Sequence, residues 1–357
     1  MTRITLAPAG DLAVLGAVWR ALEGPAGASF FQSWTWIGCA AAARYPDPLL
    51  LRAEQDGRLA GLALLNRSGH RLSGRRLWLH ESGEAARDAP YIEHNGILLA
   101  DAGLLPACLR VLLGGGRLRL SGVDAAHLAA ARAAGAVCLR RDAAAPYVDL
   151  AALRGDYAAS LSANTRQQLR RSDRAYGPLT VEEAATPAQA LAFLDALAVL
   201  HQARWRARGK PGAFANPCFA AFHRALIARA WPRREAVLLR IAAAGRPVGY
   251  LYNFRHQGRM LAYQSGFDYA AAPPHGKPGL TCHHAAIRRA QAEGARIYDF
   301  LAGADRYKTS LAGAATRLYW LDAAPRASLA GIALRLSAWR NTVSWPRLVS
   351  SQPNPSA

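Results

Sequence analysis

Lys308 is one of only three lysines among the chain's 44 basic residues. It lies in the stretch IYDFLAGADRYKTSLAG (297–313), where a strand-like run from Ile297 to Leu301 gives way to Gly303 and then to Tyr307 and Lys308. The other two lysines, Lys210 and Lys277, both sit in Gly-Lys-Pro-Gly. Lysine offers a compact ammonium on a flexible stem, arginine a broad planar fork, so a tight loop that needs one point charge selects lysine. A surface lysine is the plainer alternative. The second Gly-Lys-Pro-Gly, Gly276 to Gly279, directly precedes the helical pattern LTCHHAAIRRAQAEG (280–294). A helix start leaves backbone N–H groups unpaired and adds partial positive charge, and glycines allow close approach. Residues 276–281 therefore read as a seat for an anion such as a diphosphate, or as an ordinary capped turn. The stretch lacks the Gly-Lys-Ser/Thr of a P-loop, and the strands before it are antiparallel, unlike a Rossmann fingerprint.

Two more groupings have chemical spacing. Arg166, Arg170 and Arg174 recur every fourth residue in a helical stretch with Arg171 beside them, forming a basic stripe. It suits an anionic acceptor or a nucleic acid, or simply a solvated face. His201 and Arg204 share a helix face, with Trp205 alongside. The five cysteines are scattered, and His283 and His284 are adjacent, so no metal-ligand spacing occurs and no metal is expected.

The net charge is +20, and it is unevenly spread: residues 151–357 hold 28 basic and 11 acidic residues, against 16 and 13 in residues 1–150. A basic surface attracts phosphate esters, nucleic acid or acidic lipid. No apolar run reaches eighteen residues, and the N-terminal stretch does not resemble a signal peptide, so a cytoplasmic protein is expected.

The apolar pattern places these residues on a mixed α/β framework. The first half reads as a helix (29–44), a hairpin through Asp56-Gly57, strands at 75–83 and 91–100, a helix (104–116), a strand (116–123), a helix (126–135) and a strand (145–150). The second half reads as a helical region (156–176), a strand (179–184), helices at 187–207 and 215–230, and three antiparallel strands joined at Gly245-Arg246 and Gly258-Arg259. The Gly-rich loop, its helix, the Tyr-Lys strand and a last strand at 316–323 follow. The first half repeats this order loosely, as an internal duplication of architecture. An amphipathic helix at 326–345, with Leu329, Ile332, Leu336 and Trp339 near one side, is expected to pack on the domain or to touch a membrane surface; a disordered tail follows it.

The order of elements, with APYVDL, LSANTRQQLRRSDRAYG, HQARWRARGKPGAF, KPGLTCHHAAIRRAQAEG and YDFLAGADRYKTSLA in sequence, resembles the GNAT acyltransferase fold. More narrowly it is similar to the GNAT-like family of CelD proteins of cellulose biosynthesis, relatives of the FemAB aminoacyltransferases. FFQSWTWI, DGRLAGLALL and APYIEHNGIL extend the resemblance to residues 28–325. One departure is that Gly303 is followed by Ala304 and Asp305 where the family has two acidic residues.

The resemblance implies an α/β (α+β mixed sheet) protein with a tandem GNAT-like acyl-CoA N-acyltransferase fold. Its parts would be a degenerate domain (1–145), a catalytic domain (146–325) and a C-terminal helix and tail (326–357). An acyl-CoA donor would insert between the splayed strands RMLAYQSGFD and RIYDFL. Gly276, Lys277, Gly279, Leu280 and Thr281 would hold its diphosphate, and a backbone N–H at Gln264, Ser265 or Gly266 would polarise its carbonyl. Tyr307 would protonate the leaving thiolate. Lys308 would bind phosphate or stabilise developing charge, and Asp299 would orient Lys308 or act as a base. His201, Arg204, Trp205, Arg166 and Arg170 would face the acceptor, a small or envelope-precursor amine. An acyl carrier protein could replace CoA, with contact at the inner membrane surface. The alternatives are a FemAB-like enzyme using aminoacyl-tRNA, and a non-catalytic binding component of an envelope polysaccharide system.

Overall fold

The structure is a computed structural model and describes residues 1–70, 74–114, 116–303 and 305–340. Ala304 and residues 341–357, with the end of the helix expected at 326–345 and the tail after it, lie outside the described residues, as does the side chain of Trp339. Over the described residues the chain forms two compact units, residues 1–143 with 317–340, and residues 144–316. The boundary expected at 325 thus falls inside the first unit. That unit contains β1 (Thr2–Pro8), α1 (Leu12–Glu23), α2 (Trp34–Arg44), β2 (Leu49–Gln55), β3 (Arg58–His70), β4 (Gly74–Leu79), β5 (Leu98–Leu99), α3 (Leu105–Gly114), β6 (Arg117–Val123), α4 (Ala125–Ala133) and the start of β7 (Ala136–Asp149). The second unit contains the end of β7, α5 (Ala163–Tyr176), β8 (Leu179–Glu183), α6 (Pro187–Arg206), α7 (Pro217–Ala230), β9 (Ala236–Ala243), β10 (Arg246–His256), β11 (Arg259–Phe267), α8 (Pro278–Ala292), β12 (Ile297–Asp299) and α9 (Arg306–Leu311). The chain then returns along β13 (Ala314–Pro325) to α10 (Leu329–Arg340). β1 and α1 went unrecognised in the sequence.

In the first unit the strand order is β1-β2-β3-β4-β6-β13, with β5 paired to β3. Asp322 of β13 takes hydrogen bonds from Arg117 (2.6 Å) and Arg76 (3.3 Å), tying three strands together. β4 and β6 run parallel for only three residue pairs, Arg76↔Arg117 to Trp78↔Arg119. Beyond them the chain fills the gap with its own segment. Asn95 donates through Nδ2 to the carbonyls of Leu79 (3.4 Å) and Ser121 (3.1 Å), and its N–H bonds Gly122. Its Oδ1 accepts from the Gly96 N–H at 2.8 Å and lies 2.7 Å from His80 Nδ1. Burial pushes the pKa of His80 down to about 4, so the ring is neutral and Nδ1 donates. This explains why residues 91–97, expected as a strand, are irregular: their polar groups serve as filler between two strands.

In the second unit the order is β7-β12-β11-β10-β9-β8, antiparallel except between β11 and β12. That parallel pair has three residues in register, Arg259↔Ile297, Met260↔Tyr298 and Leu261↔Asp299. From there β12's line stays with β7, through Phe300 N–H to Pro146 O and Gly303 N–H to Ala144 O. β11 instead stays with β10 as far as Phe267↔Gly249. The two strands therefore part after Leu261 and leave a wedge. β11 also carries a bulge there: Asn253 pairs with Ala262 and Tyr252 with Gln264, so Tyr263 is the extra residue. A bulge bends and twists its strand, and this one sits where the strands diverge.

Side chains alternate across a strand. A Cβ on Gly266 would overlap the Leu197 carbonyl of α6, whereas the ring of Phe267 packs on His283 of α8. Hence α6 and α8 cover opposite faces of β11. α8 packs into the second unit's core through Cys282, Ala286, Ile287 and Ala290. The close passage of α6 over Gly266 leaves no room for a side chain. Gly266→Ala is expected to destabilise the second unit by about 1–3 kcal/mol through overpacking, read as a lowered midpoint in urea denaturation; an unchanged midpoint would mean that α6 shifts freely.

Candidate functional site

The wedge has a polar lining. Asp268 N–H donates to Val248 O in β10. By the alternation of an antiparallel ladder, Gly266 also turns its backbone groups toward β10, and Ser265 and Phe267 turn theirs away, to the side β12 has left. The Ser265 carbonyl is taken by Nδ1 of His201 at 3.2 Å. Burial pushes the pKa of His201 down to about 4, so the ring is neutral; Nδ1 donates, and Nε2 accepts from the Ala213 N–H at 3.4 Å. Both ring nitrogens are engaged and the ring packs on Trp205 and Phe214, so His201 braces the wedge instead of lining an open pocket. The Ser265 N–H is left facing the gap.

Gln264 is 3 % exposed, and neither its Oε1 nor its Nε2 has a hydrogen-bond partner among the described residues. It lies one residue past the bulge and, like Gly266, points to the α6 face. A buried unpaired amide costs about 1–3 kcal/mol, so its presence beside the wedge needs a reason other than stability.

On the α8 side lies a cleft of about 370 Å³. Asn164, Thr165 and Gln168 of α5 form one wall, Gly276 to Leu280 the floor, and Arg306, Tyr307 and Ser310 of α9 the other wall, with Phe267 and Tyr269 at the end of β11. The Gly-rich loop is anchored from below. Its Gly276 N–H bonds Pro273 O and its Lys277 N–H bonds Ser172 Oγ (2.8 Å). Thr281 is fully buried; its N–H bonds Lys277 O and its hydroxyl donates to Asp173 (3.1 Å). Pro278 has no N–H, so Gly279 and Leu280 supply the helix-start amides without an intrahelical acceptor. A Cβ on Gly279 would come within 3.2 Å of the Phe267 ring, so glycine keeps the cleft open at this point. Lys277 is exposed at the rim, its ammonium 2.7 Å from Gln168 Oε1.

Tyr307 forms part of the cleft wall, stacked on His283 with ring centroids 5.0 Å apart. His283 is buried and sits 3.1 Å from the Tyr298 hydroxyl through Nδ1; burial and the nearby Lys308 push its pKa down to about 3, so it is neutral. Lys308 lies behind this wall, 4 % exposed, donating to the carbonyls of Ala302 (2.9 Å) and Leu301 (3.4 Å). Asp299 is fully buried; it accepts from Arg259 (2.8 Å) and from the Leu301 N–H (2.8 Å). Together these groups fix the turn at Leu301, whose φ of 60° is unusual for a branched residue. Burial pushes the pKa of Asp305 up to about 6, against the pull of Lys308.

The structure thus gathers Tyr307 with Gly276, Lys277, Gly279 and Leu280 in one cleft, and sets Lys308 behind it. It places Gln264, Ser265 and Gly266 at the wedge. The remaining expected residues do not themselves line the cleft, although Arg204 touches its Tyr269. Arg166 donates to the carbonyls of Ala159 (3.0 Å) and Leu161 (2.6 Å), closing the turn before α5. Arg204 stacks on Tyr269 at 4.2 Å, Trp205 is buried, and Arg170 is exposed on α5. Sequence reading missed Asn164, Thr165, Gln168, Phe267, Arg306 and Ser310, which become neighbours only when α5, α8 and α9 converge. Among the described residues no group of three or more His, Cys, Asp or Glu side chains has metal-binding geometry, and no helix is long and apolar enough to cross a membrane.

A search of curated proteins finds no match to the sequence. Among solved structures, the chain is similar to FemX, with a TM-score of 0.59 and 10 % identity over 90 % of this chain and 98 % of that one. It is also similar to L-PGS from Bacillus licheniformis, with a TM-score of 0.51 and 13 % identity over 90 % and 96 %. At these identities the likeness shows a shared fold, the tandem arrangement of two GNAT-like units. Residues 159–309, which run from before α5 into α9 and hold the wedge and all of the named cleft residues but Ser310, match the family described as acetyltransferase (GNAT) domain. On this match and this shared fold, the protein is an acyltransferase with a GNAT-like second unit.

Proposed function

We propose that the second unit moves an acyl group from an acyl-CoA donor to a primary amine. The observation that carries this reading is the wedge after Leu261, with a cleft floored by the free amides of α8 at the end of the same strand, β11. The residues present fit such a donor. Gly279 and Leu280 offer N–H groups to a diphosphate, Lys277 and Arg306 add positive charge at the rim, and glycine at 279 leaves space. The Ser265 N–H faces the gap where a thioester carbonyl would lie and stabilises the charge that develops on its oxygen. The amine approaches from the α6 face, where the unpaired amide of Gln264 meets a hydroxyl or amide next to the nucleophile. A C–N bond forms, the C–S bond breaks, and the amine releases its proton to solvent. Tyr307 gives a proton to the departing thiolate and recovers one from water. Lys308 keeps a buried positive charge behind Tyr307 and His283, and holds the turn that carries them.

A second reading, transfer from aminoacyl-tRNA, is favoured by one observation: Arg170, Arg171 and Arg174 are exposed on α5, the helix that also walls the cleft. Salt-sensitive tRNA binding without CoA binding would select it. An envelope-precursor acceptor and a CelD-type role are part of the same proposal and rest on the sequence resemblance.

Three substitutions test the site. Gly279→Asp adds an anion where a phosphate would sit, in a position the helix dipole favours. It is expected to weaken CoA binding at least about tenfold (~1.4 kcal/mol) in calorimetric titration of the folded variant; unchanged affinity would remove α8 from the donor site. Gln264→Leu is expected to raise stability by about 1 kcal/mol by removing the unpaired amide. It should leave CoA affinity unchanged and slow acetylation of hydroxyl- or amide-bearing amines about tenfold or more; a loss of stability would mean that the amide is structurally bonded. Lys308→Met is expected to cut kcat by at least about tenfold with donor KM nearly unchanged, and wild-type kcat would take the ammonium out of the mechanism.

A further inference from the structure

We infer that α10, in the first unit, docks the protein onto an anionic lipid surface. Leu329 (86 %), Ile332 (43 %) and Leu336 (53 %) are among the most exposed large apolar residues of the chain. At about 100° per residue the three fall within an arc of about 60°. Leu334 (3 % exposed) and the buried Gly331 lie on the opposite side of the helix, against the body of the unit; a Cβ on Gly331 would overlap the Pro325 carbonyl. The apolar stripe thus points directly away from the unit, the reverse of an ordinary surface helix.

The charge around the stripe identifies the occupant. Residues 326–340 contain no aspartate or glutamate. Arg326 and Arg335 are exposed beside the stripe, and neither has a carboxylate partner among the described residues. Two such helices facing each other in a dimer would bring arginines together without compensation. A convex helix with a narrow apolar ridge flanked by cations matches an anionic bilayer interface, where the ridge enters the acyl boundary and the arginines meet the headgroups. This inference is independent of the donor and acceptor proposed above.

The test is co-sedimentation of the full chain with vesicles of phosphatidylcholine alone or with about 30 % phosphatidylglycerol, at low and high salt. Binding to the anionic vesicles is expected to be at least about tenfold tighter than to the neutral ones and to weaken in salt. The combined variant Leu329→Ser, Ile332→Ser and Leu336→Ser, all solvent-facing, should fold as wild type by thermal melting and lose about tenfold in vesicle affinity. Arg326→Glu with Arg335→Glu should lose a similar amount. Three results would overturn the assignment: no sedimentation with anionic vesicles, full binding by the triple serine variant, or a wild-type dimer in light scattering that the serine variant converts to monomer.

Discussion

The second unit depends on the point where β11 and β12 stop pairing. Two parallel strands normally satisfy each other's backbone groups, and separating them leaves donors and acceptors exposed in the interior. Here the separation is supported on both sides. On β11, the bulge at Tyr263 redirects the strand, and a neutral His201 takes the orphaned Ser265 carbonyl. On the β12 side, the chain keeps its bonds to β7 and then turns at Leu301, held by Asp299 and Lys308. Among the groups left beside the wedge are the Ser265 N–H and the Gln264 amide, and these are the groups that the proposed chemistry uses.

The first unit meets the same problem with a different solution. Its parallel pair, β4 and β6, also parts after three residues. The gap is filled by Asn95, whose side-chain amide donates to carbonyls of both strands, Leu79 at the end of β4 and Ser121 in β6, while a neutral His80 donates to its Oδ1. An asparagine can serve both sides because it carries two donors and an acceptor in one plane. The result is a gap bridged by the chain itself. The same architecture therefore closes the parting strands with an asparagine in one unit and leaves polar groups beside the wedge in the other.

Lys308 illustrates how a reading can be right about importance and incomplete about cause. Its rarity singled it out, and it does stand beside the candidate site. Yet its ammonium is turned inward to two carbonyls, in the company of a histidine held neutral by burial. Asp299, expected to orient it, is occupied instead by Arg259 and the Leu301 amide. Burying an unpaired arginine partner's carboxylate would be costly, and the pairing with Arg259 across two strands follows directly from the parallel register at Leu261↔Asp299. Neither relation has a signature in sequence spacing.

The sequence by itself determined the order of helices and strands in the second unit, because apolar periodicity, Gly-rich hairpin turns and helix-start residues are local. It also marked Gly276–Leu280 and Tyr307 as candidates, since glycines before a helix and an aromatic after a strand are readable within a few residues. Only the tertiary structure decided that α5 walls the cleft, that β11 carries a bulge, that Ser265 turns its amide into the wedge and that Gln264 is left unpaired. Each of these depends on which backbone groups find partners across the sheet, and that accounting is settled by long-range pairing, which no local pattern encodes.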